Sequence, residues 1–192
     1  MLGYYLLING IVKLNNNEKD VLISLLKEIS PLGKMEIKDD LLIIIDYDNL
    51  EISWEEFIIG TNSELFTSLK LYESLKYSSE NDLTKSLEKN LSKNLFINDY
   101  NNDKTIFYHY LESVINEDFK REVFKELYYD KEFLKSIKVY ISENGNTSKA
   151  AKLSNMHRNT LLNRLDKFNK VTGLDLRNID DITFVYILLR NL

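Results

Sequence analysis

The chain contains no cysteine, so disulfide bridges and thiolate metal sites are excluded, and nothing in it argues for secretion. Histidine is nearly as scarce. His109 and His157 are the only two and fall in different expected domains, which leaves no His-rich metal site and no local Ser-His-Asp signature. The six glycines are scattered at positions 3, 10, 33, 60, 145 and 173, so no glycine-rich loop is available to cradle a phosphate. No apolar run approaches the ~18 residues that span a bilayer. The start Met1-Leu2-Gly3-Tyr4-Tyr5 lacks the basic region of a signal peptide. A cytoplasmic protein without a membrane partner is therefore expected.

What the chain does have is 192 residues at 44% hydrophobic, enough to bury a sizeable core and to form two small domains. Tyr4 to Val12 is a β-rich apolar run closed by Asn15-Asn16-Asn17, and a helix is expected from about Glu18 to Ile29, stopped by Pro31 and Gly33. Lys34–Ile37 and Leu41–Asp46 read as two strands around a turn at Lys38-Asp39-Asp40. Ser53 with Glu56 gives a capping-box signature for the next helix. Ser68–Tyr72 reads as a strand and Asn81 to Phe96 as a helix. The order βαββαβ followed by a helix is the connectivity of a ferredoxin-like sandwich. The polar hexapeptide Asn98–Asp103 is the expected domain boundary. Beyond it, helices are expected over Lys104–Val114, Glu117–Tyr128, Glu132–Glu143 and Ile182–Leu192, the last capped by Asp180-Asp181.

Between Asn146 and Leu165 the chain has the grammar of a helix-turn-helix: a short helix containing Ala150-Ala151, a three-residue turn, and a second helix. The stretch is basic in an acidic protein. From Asn146 to Lys170 it carries Lys149, Lys152, Arg158, Arg164, Lys167 and Lys170 against Asp166 alone, in a chain of net charge -5. Phosphate neutralisation needs such segregation. On a helical wheel Leu161, Leu165 and Phe168 form the buried stripe, Asn159, Asn163 and Lys170 point the opposite way with Thr160 and Lys167 beside them, and Arg158 and Arg164 lie on the flanks. Asparagine amides pair bidentately with an adenine edge, and arginines reach guanine or phosphate. Asp166 faces outward and repels phosphate, so only the first two turns are expected in the groove.

The string Gly145-Asn146-x-x-x-Ala150-Ala151-x-Leu153-x-x-Met156-His157-Arg158-Asn159-Thr160-Leu161-x-x-Arg164-Leu165, with Thr172-Gly173-Leu174-Asp175-Leu176 after it, resembles the C-terminal helix-turn-helix domain of the PucR/CdaR family of bacterial transcription regulators, and more distantly that of the Fis nucleoid protein. The resemblance covers about residues 131 to 192. It implies double-stranded DNA binding in dimeric or larger assemblies, a small-molecule effector of unknown identity, and control of genes for purine, sugar-acid or amino-acid use. Many relatives carry a degenerate GGDEF-like domain before this end, which fits the element order here. The hairpin Glu36-Ile37-Lys38-Asp39-Asp40-Leu41 lacks the glycine turn and metal-binding acids of a nucleotide cyclase. Relatives also commonly carry an upstream sensory region, whereas the first strand here starts almost at Met1; the chain is expected to be a short regulator or a fragment.

The expected fold class is α+β: a ferredoxin-like, degenerate GGDEF-like domain over residues 1–97, connecting helices over 98–130, and an all-α helix-turn-helix domain over 131–192. The expected function is a DNA-binding transcription regulator whose recognition helix, about 157–170, reads the major groove. The candidate DNA-binding residues are Thr147, Ser148, Lys149, His157, Arg158, Asn159, Thr160, Asn163, Arg164 and Lys167. The alternatives are a protein-interaction adaptor that keeps the fold without specific DNA affinity and an enzyme built on the first domain. No catalytic residue, cofactor or metal is expected. His109 reads as a partly buried helix histidine. The acidic pairs Asp46/Asp48, Asp39/Asp40 and Asp180/Asp181 read as turn and cap residues. Trp54 reads as core or as an anchor for a second subunit. A homodimer is expected, its interface on the first domain or between Lys104 and Tyr129, where Phe107, Tyr108, Tyr110, Tyr128 and Tyr129 add to the aromatic surplus.

Overall fold

In the computed structural model, residues 3–47 and 52–190 are described; Asp48 of the Asp46/Asp48 pair and the last two residues of the expected terminal helix lie outside them. The chain is mixed α and β and divides into two compact units, residues 1–107 and 108–192. The division falls within one helix, α4 (Asp103–Val114).

The first unit holds a five-stranded sheet in the order β2-β3-β1-β4-β5. Its strands are β1 (Tyr4–Asn9), β2 (Lys34–Lys38), β3 (Leu41–Asp46), β4 (Lys70–Glu73) and β5 (Tyr100–Asn102). The first four are antiparallel to their neighbours, and β5 is parallel to β4. β1 is central and buried on both faces, which explains its unbroken apolar sequence. Tyr4, Leu6 and Ile8 face Leu22 and Leu26 of α1 (Asn16–Ile29) and Trp54 and Ile58 of α2 (Trp54–Leu65). Tyr5 and Leu7 face the other core, with Leu83 of α3 (Glu80–Leu91), Leu95 and Ile106. On that face Asn90 donates to the hydroxyls of Tyr5 (2.7 Å) and Tyr72 (3.2 Å), and Tyr72 donates to Asp103 at 3.1 Å, so the buried polar groups are partnered. Burial raises the hydroxyl pKa of both tyrosines above the ordinary value.

Several local expectations change in three dimensions. β1 stops at Asn9, short of the expected Val12, and a 3-10 turn over Ile11–Lys13 follows, so Asn15 does not end the strand; its side chain takes the Glu18 N–H while Glu18 takes the Asn15 N–H, a reciprocal capping box that starts α1 at Asn16. Ser53 caps α2 by accepting from Glu56 N–H at 3.2 Å. The hexapeptide expected as a boundary instead supplies β5, and the compact unit continues past it. Asp40 in the β2–β3 turn accepts from Val12 N–H at 2.8 Å and from the Asn9 amide, tying the hairpin to the end of β1. Asp46 is buried and accepts from Ser30. Trp54 is 3% exposed and packs edge-on against Phe57, so it belongs to the core and offers no anchor to another subunit. His109 is exposed on α4 beside Tyr110, not partly buried.

The second unit is helical among its described residues: the rest of α4, α5 (Glu117–Phe124), a 3-10 turn over Lys125–Tyr129, α6 (Lys131–Ser142), α7 (Thr147–Leu153), α8 (Arg158–Thr172) and α9 (Ile179–Leu189). Lys125, at φ 51°, breaks what reads in sequence as one helix to Tyr128. Asn178, rather than Asp180-Asp181, caps α9, and Asp181 accepts from Asp175 N–H at 2.7 Å. A single core joins Phe124, Ile137, Tyr140, Ala150, Leu161, Phe168 and Val185.

Candidate nucleic-acid interface

The α6–α7–α8 arrangement follows from short local signals. Asn144 and Gly145 both take left-handed backbone, φ 52° and 76°, and turn the chain sharply out of α6. A Cβ at Gly145 would stand 3.3 Å from the Tyr140 hydroxyl, so both its conformation and its surroundings favour glycine. Asn146 caps α7 by accepting from Lys149 N–H at 3.1 Å. Ala150 and Ala151 are buried at 0% and 3% exposure, and their small side chains let α7 lie close in the core. The turn Ser154-Asn155-Met156 follows, with Asn155 at φ 50° and Met156 N–H donating to Ala151 O at 2.9 Å.

His157 is the N-cap of α8, its Nδ1 accepting from Asn159 N–H at 3.2 Å, which leaves the ring proton on Nε2. The α8 stripe expected from the wheel is the buried one: Leu161 and Phe168 are fully buried and Leu165 is 6% exposed. Gly173 ends the helix in left-handed backbone, φ 82°, with its N–H donating to Asn169 O at 2.8 Å.

The candidate residues divide into three groups. His157, Arg158, Asn159, Thr160, Asn163 and Lys167 are exposed on α8 and its cap, and Thr147, Ser148 and Lys149 open α7 with Ser148 and Lys149 exposed. The Arg158 guanidinium donates to Thr147 Oγ1 at 3.1 Å, bringing the starts of both helices onto one surface. Lys167 stands 5.5 Å from the Phe133 ring. Arg164 is placed differently from its sequence expectation. It turns back onto α6, where Nη1 donates to Glu132 O (3.0 Å) and Ser136 Oγ (2.9 Å) and the guanidinium lies over Phe133.

One residue outside the candidate set bears on this surface. Arg177, past the end of α8, pairs with Asp166 at 3.2 Å, so the acid expected to repel phosphate has a cation beside it. The sequence signal was the basic residue directly after Leu174-Asp175-Leu176. Among the described residues no cluster of His, Cys, Asp or Glu has metal-binding geometry, and no helix is long and apolar enough to cross a membrane.

Residues 133–190 match the PucR C-terminal helix-turn-helix domain family. The second unit carries a PucR-type helix-turn-helix. The chain thus has the DNA-binding domain type of a transcription regulator. Over 48 residues it is 44% identical to the "Leucine-rich protein" of Streptococcus dysgalactiae subsp. equisimilis, covering 25% of this chain and 17% of that protein. Over 59 residues it is 34% identical to the uncharacterized protein YxkF of Bacillus subtilis (strain 168), covering 31% of this chain and 20% of that one. The match therefore spans a fifth or less of these curated relatives. A crystal structure of a regulator of polyketide synthase expression from Bifidobacterium adolescentis aligns over 98% of this chain and 78% of its own, at 13% identity and a TM-score of 0.33.

Proposed function

We propose that this protein regulates transcription by placing the first two turns of α8 in the major groove of duplex DNA, with the start of α7 along the phosphate backbone. The observation that carries the reading is the exposed polar face Asn159, Thr160 and Asn163 inside the PucR-type motif, opposite the buried Leu161, Leu165 and Phe168. The two amides face outward with no side-chain partner among the described residues competing for them, as bidentate pairing with adenine requires. Lys149 and Arg158 supply phosphate contacts, His157 offers its Nε2 proton, and Lys167 reaches the rim. Arg164 acts from behind, holding α8 against α6.

The first unit is read as a ferredoxin-like fold of the degenerate GGDEF-like kind. Its four antiparallel strands in the order β4-β1-β3-β2, with β5 added outside β4, support that reading. Asp40 is committed to Val12 and Asn9, which argues against a cyclase metal site at the hairpin. Residues 131–192 are assigned to DNA binding. A homodimer is inferred because one recognition helix reads only a few base pairs, whereas two related by a two-fold axis read half-sites ~34 Å apart. With Trp54 in the core, the exposed Phe66, Phe107, Tyr110, Val114 and Tyr129 are among the apolar side chains left for that interface.

The test is duplex-DNA selection followed by binding of Asn159→Ala and Asn163→Ala. Each is expected to lose about 1–3 kcal/mol of discrimination between selected and random duplex, at a largely unchanged salt slope. Unchanged discrimination in both variants would remove α8 from the groove. A binding constant insensitive to salt would favour the adaptor reading instead.

A further inference from the structure

A groove of about 790 Å³ lies on the outer side of α6 within the second unit, walled by the Tyr128 ring, Val139 and Leu153, with lysines around it. Leu153, the last residue of α7, is 61% exposed there. Lys131, Lys135 and Lys138 follow one another at helical spacing along a single side of α6, and all three line the groove. Four lysines and three glutamates line the groove. Glu117 is engaged by Lys120 at 2.7 Å and by the Tyr128 hydroxyl, and the Lys120 contact first of all holds its carboxyl below the usual range. Glu132 and Glu143 flank the two ends of α6.

The lysines are not equally committed. Lys131 sits over the Tyr128 ring at 4.4 Å and Lys138 donates to Arg190 O at 2.9 Å. Lys135, between them, makes no hydrogen bond or ion pair among the described residues. It also lines an adjoining recess of about 300 Å³ that ends at the α7–α8 turn. There the Ser154 hydroxyl oxygen is shielded from solvent and has no hydrogen-bond partner among the described residues, and Arg164 and Ser136 form the far wall. An orphaned buried hydroxyl asks for a partner. Apolar walls and an uncommitted ammonium meet in a groove within the ~300–1,000 Å³ range of small-molecule sites, and the orphan hydroxyl lies in the recess that adjoins it.

We propose that this groove binds a small organic anion with an apolar, ring-sized body, its charged head at Lys135 and its body against Leu153 and Val139. A ligand seated there touches α6, the end of α7 and the recess behind Arg164, so it biases how firmly α8 is held. That consequence rests on the DNA-binding reading, whereas ligand binding itself does not.

The experiment titrates the full chain with anilinonaphthalene sulfonate, an aromatic sulfonate of this class, and follows amide shifts by NMR. Saturable binding of one probe per chain is expected, with shifts centred on residues 117–156. Lys135→Glu and Leu153→Asp are each expected to weaken it roughly tenfold or more. Both side chains are exposed, so thermal unfolding should stay near that of the parent and confirm that the variants fold. Absence of saturable binding, or binding indifferent to both substitutions, overturns the proposal. It is equally overturned if Lys135→Glu lowers the salt slope for duplex DNA as much as Lys149→Glu does, because the lysine row then belongs to the DNA interface. Failure to bind any DNA would sink the function proposed above while leaving the probe result to stand alone.

Discussion

Replacing Arg164 separates a phosphate ligand from a brace. In the structure its guanidinium donates two hydrogen bonds to α6, at 3.0 Å to Glu132 O and 2.9 Å to Ser136 Oγ, and covers Phe133. Hydrogen bonds from a charged donor contribute about 1.5–3 kcal/mol when buried, and less at a half-exposed site such as this. Ser136 Oγ still donates to Phe133 O after the change, so no group is wholly orphaned. The loss for Arg164→Ala is therefore expected near 2 kcal/mol, or a Tm lower by roughly 8–16 °C for a domain of about 85 residues. Affinity for selected and random DNA should fall together as α8 loosens. The salt slope decides the cause, since each lost phosphate contact lowers it by about 0.9. A brace leaves the slope unchanged, and Arg164→Lys restores little Tm because lysine lacks the planar fork that spans both acceptors. An unaltered Tm with a shallower slope, rescued by lysine, would refute the geometry argued here.

Two further outcomes are expected. Gly173→Ala should cost about 1 kcal/mol, because no atom lies within 4 Å of the added Cβ and only the left-handed backbone resists it; Gly173→Asn should cost less, and equal melting curves for all three chains would contradict that cause. The first unit should weaken in alkali: burial foremost raises Tyr5 and Tyr72, and burial with the Glu73 hydrogen bond pushes Tyr100 up to about 12. Raised hydroxyls favour the neutral folded form, so their stabilisation is whole below the unfolded value of about 10 and is lost as pH rises toward the folded values. Urea unfolding followed by the fluorescence of Trp54 should show a lower midpoint at about pH 11 than at about pH 8, and coincident midpoints would count against the buried tyrosine network.

What could be read in advance was what local chemistry determines. β1 and β3 are legible because strands covered on both faces are apolar throughout, and the α8 stripe because three apolar residues recur at helical spacing. β5 was hidden for the opposite reason. Tyr100–Asn102 is short and polar; the buried Asn101 accepts from Ile97 and Asn98 N–H and donates to Asn98 O, local bonds that look like a turn, and only its bond to Leu71 O and the pairing with β4 mark it as a strand. By propensity such a hexapeptide is a turn. Trp54 likewise sits at a helix start, where sequence cannot distinguish a core residue from an exposed anchor.

The exposed face of α8 shows the same limit at the level of single side chains. A wheel fixes the direction of each Cα–Cβ bond, which suffices for Asn159 and Asn163 because a short side chain ends near where it begins. Arg164 begins on a flank, and its reach admits either the groove or the scaffold. The choice falls to acceptors on α6, thirty-two and twenty-eight residues earlier in the chain, that no local pattern reveals. Asp166 is the mirror case. Its outward direction is legible and suggests repulsion, yet Arg177 comes beside it only because Gly173 turns the chain back toward α8. Both partners are largely exposed, so the pair is weak and screened, and an approaching phosphate can draw Arg177 away at little cost. Arg177→Ala therefore bares Asp166 and removes a mobile cation together, whereas Asp166→Asn frees Arg177. Opposite changes in DNA affinity from these two substitutions follow from the geometry, and equal responses would place the C-terminal half of α8 outside the interface.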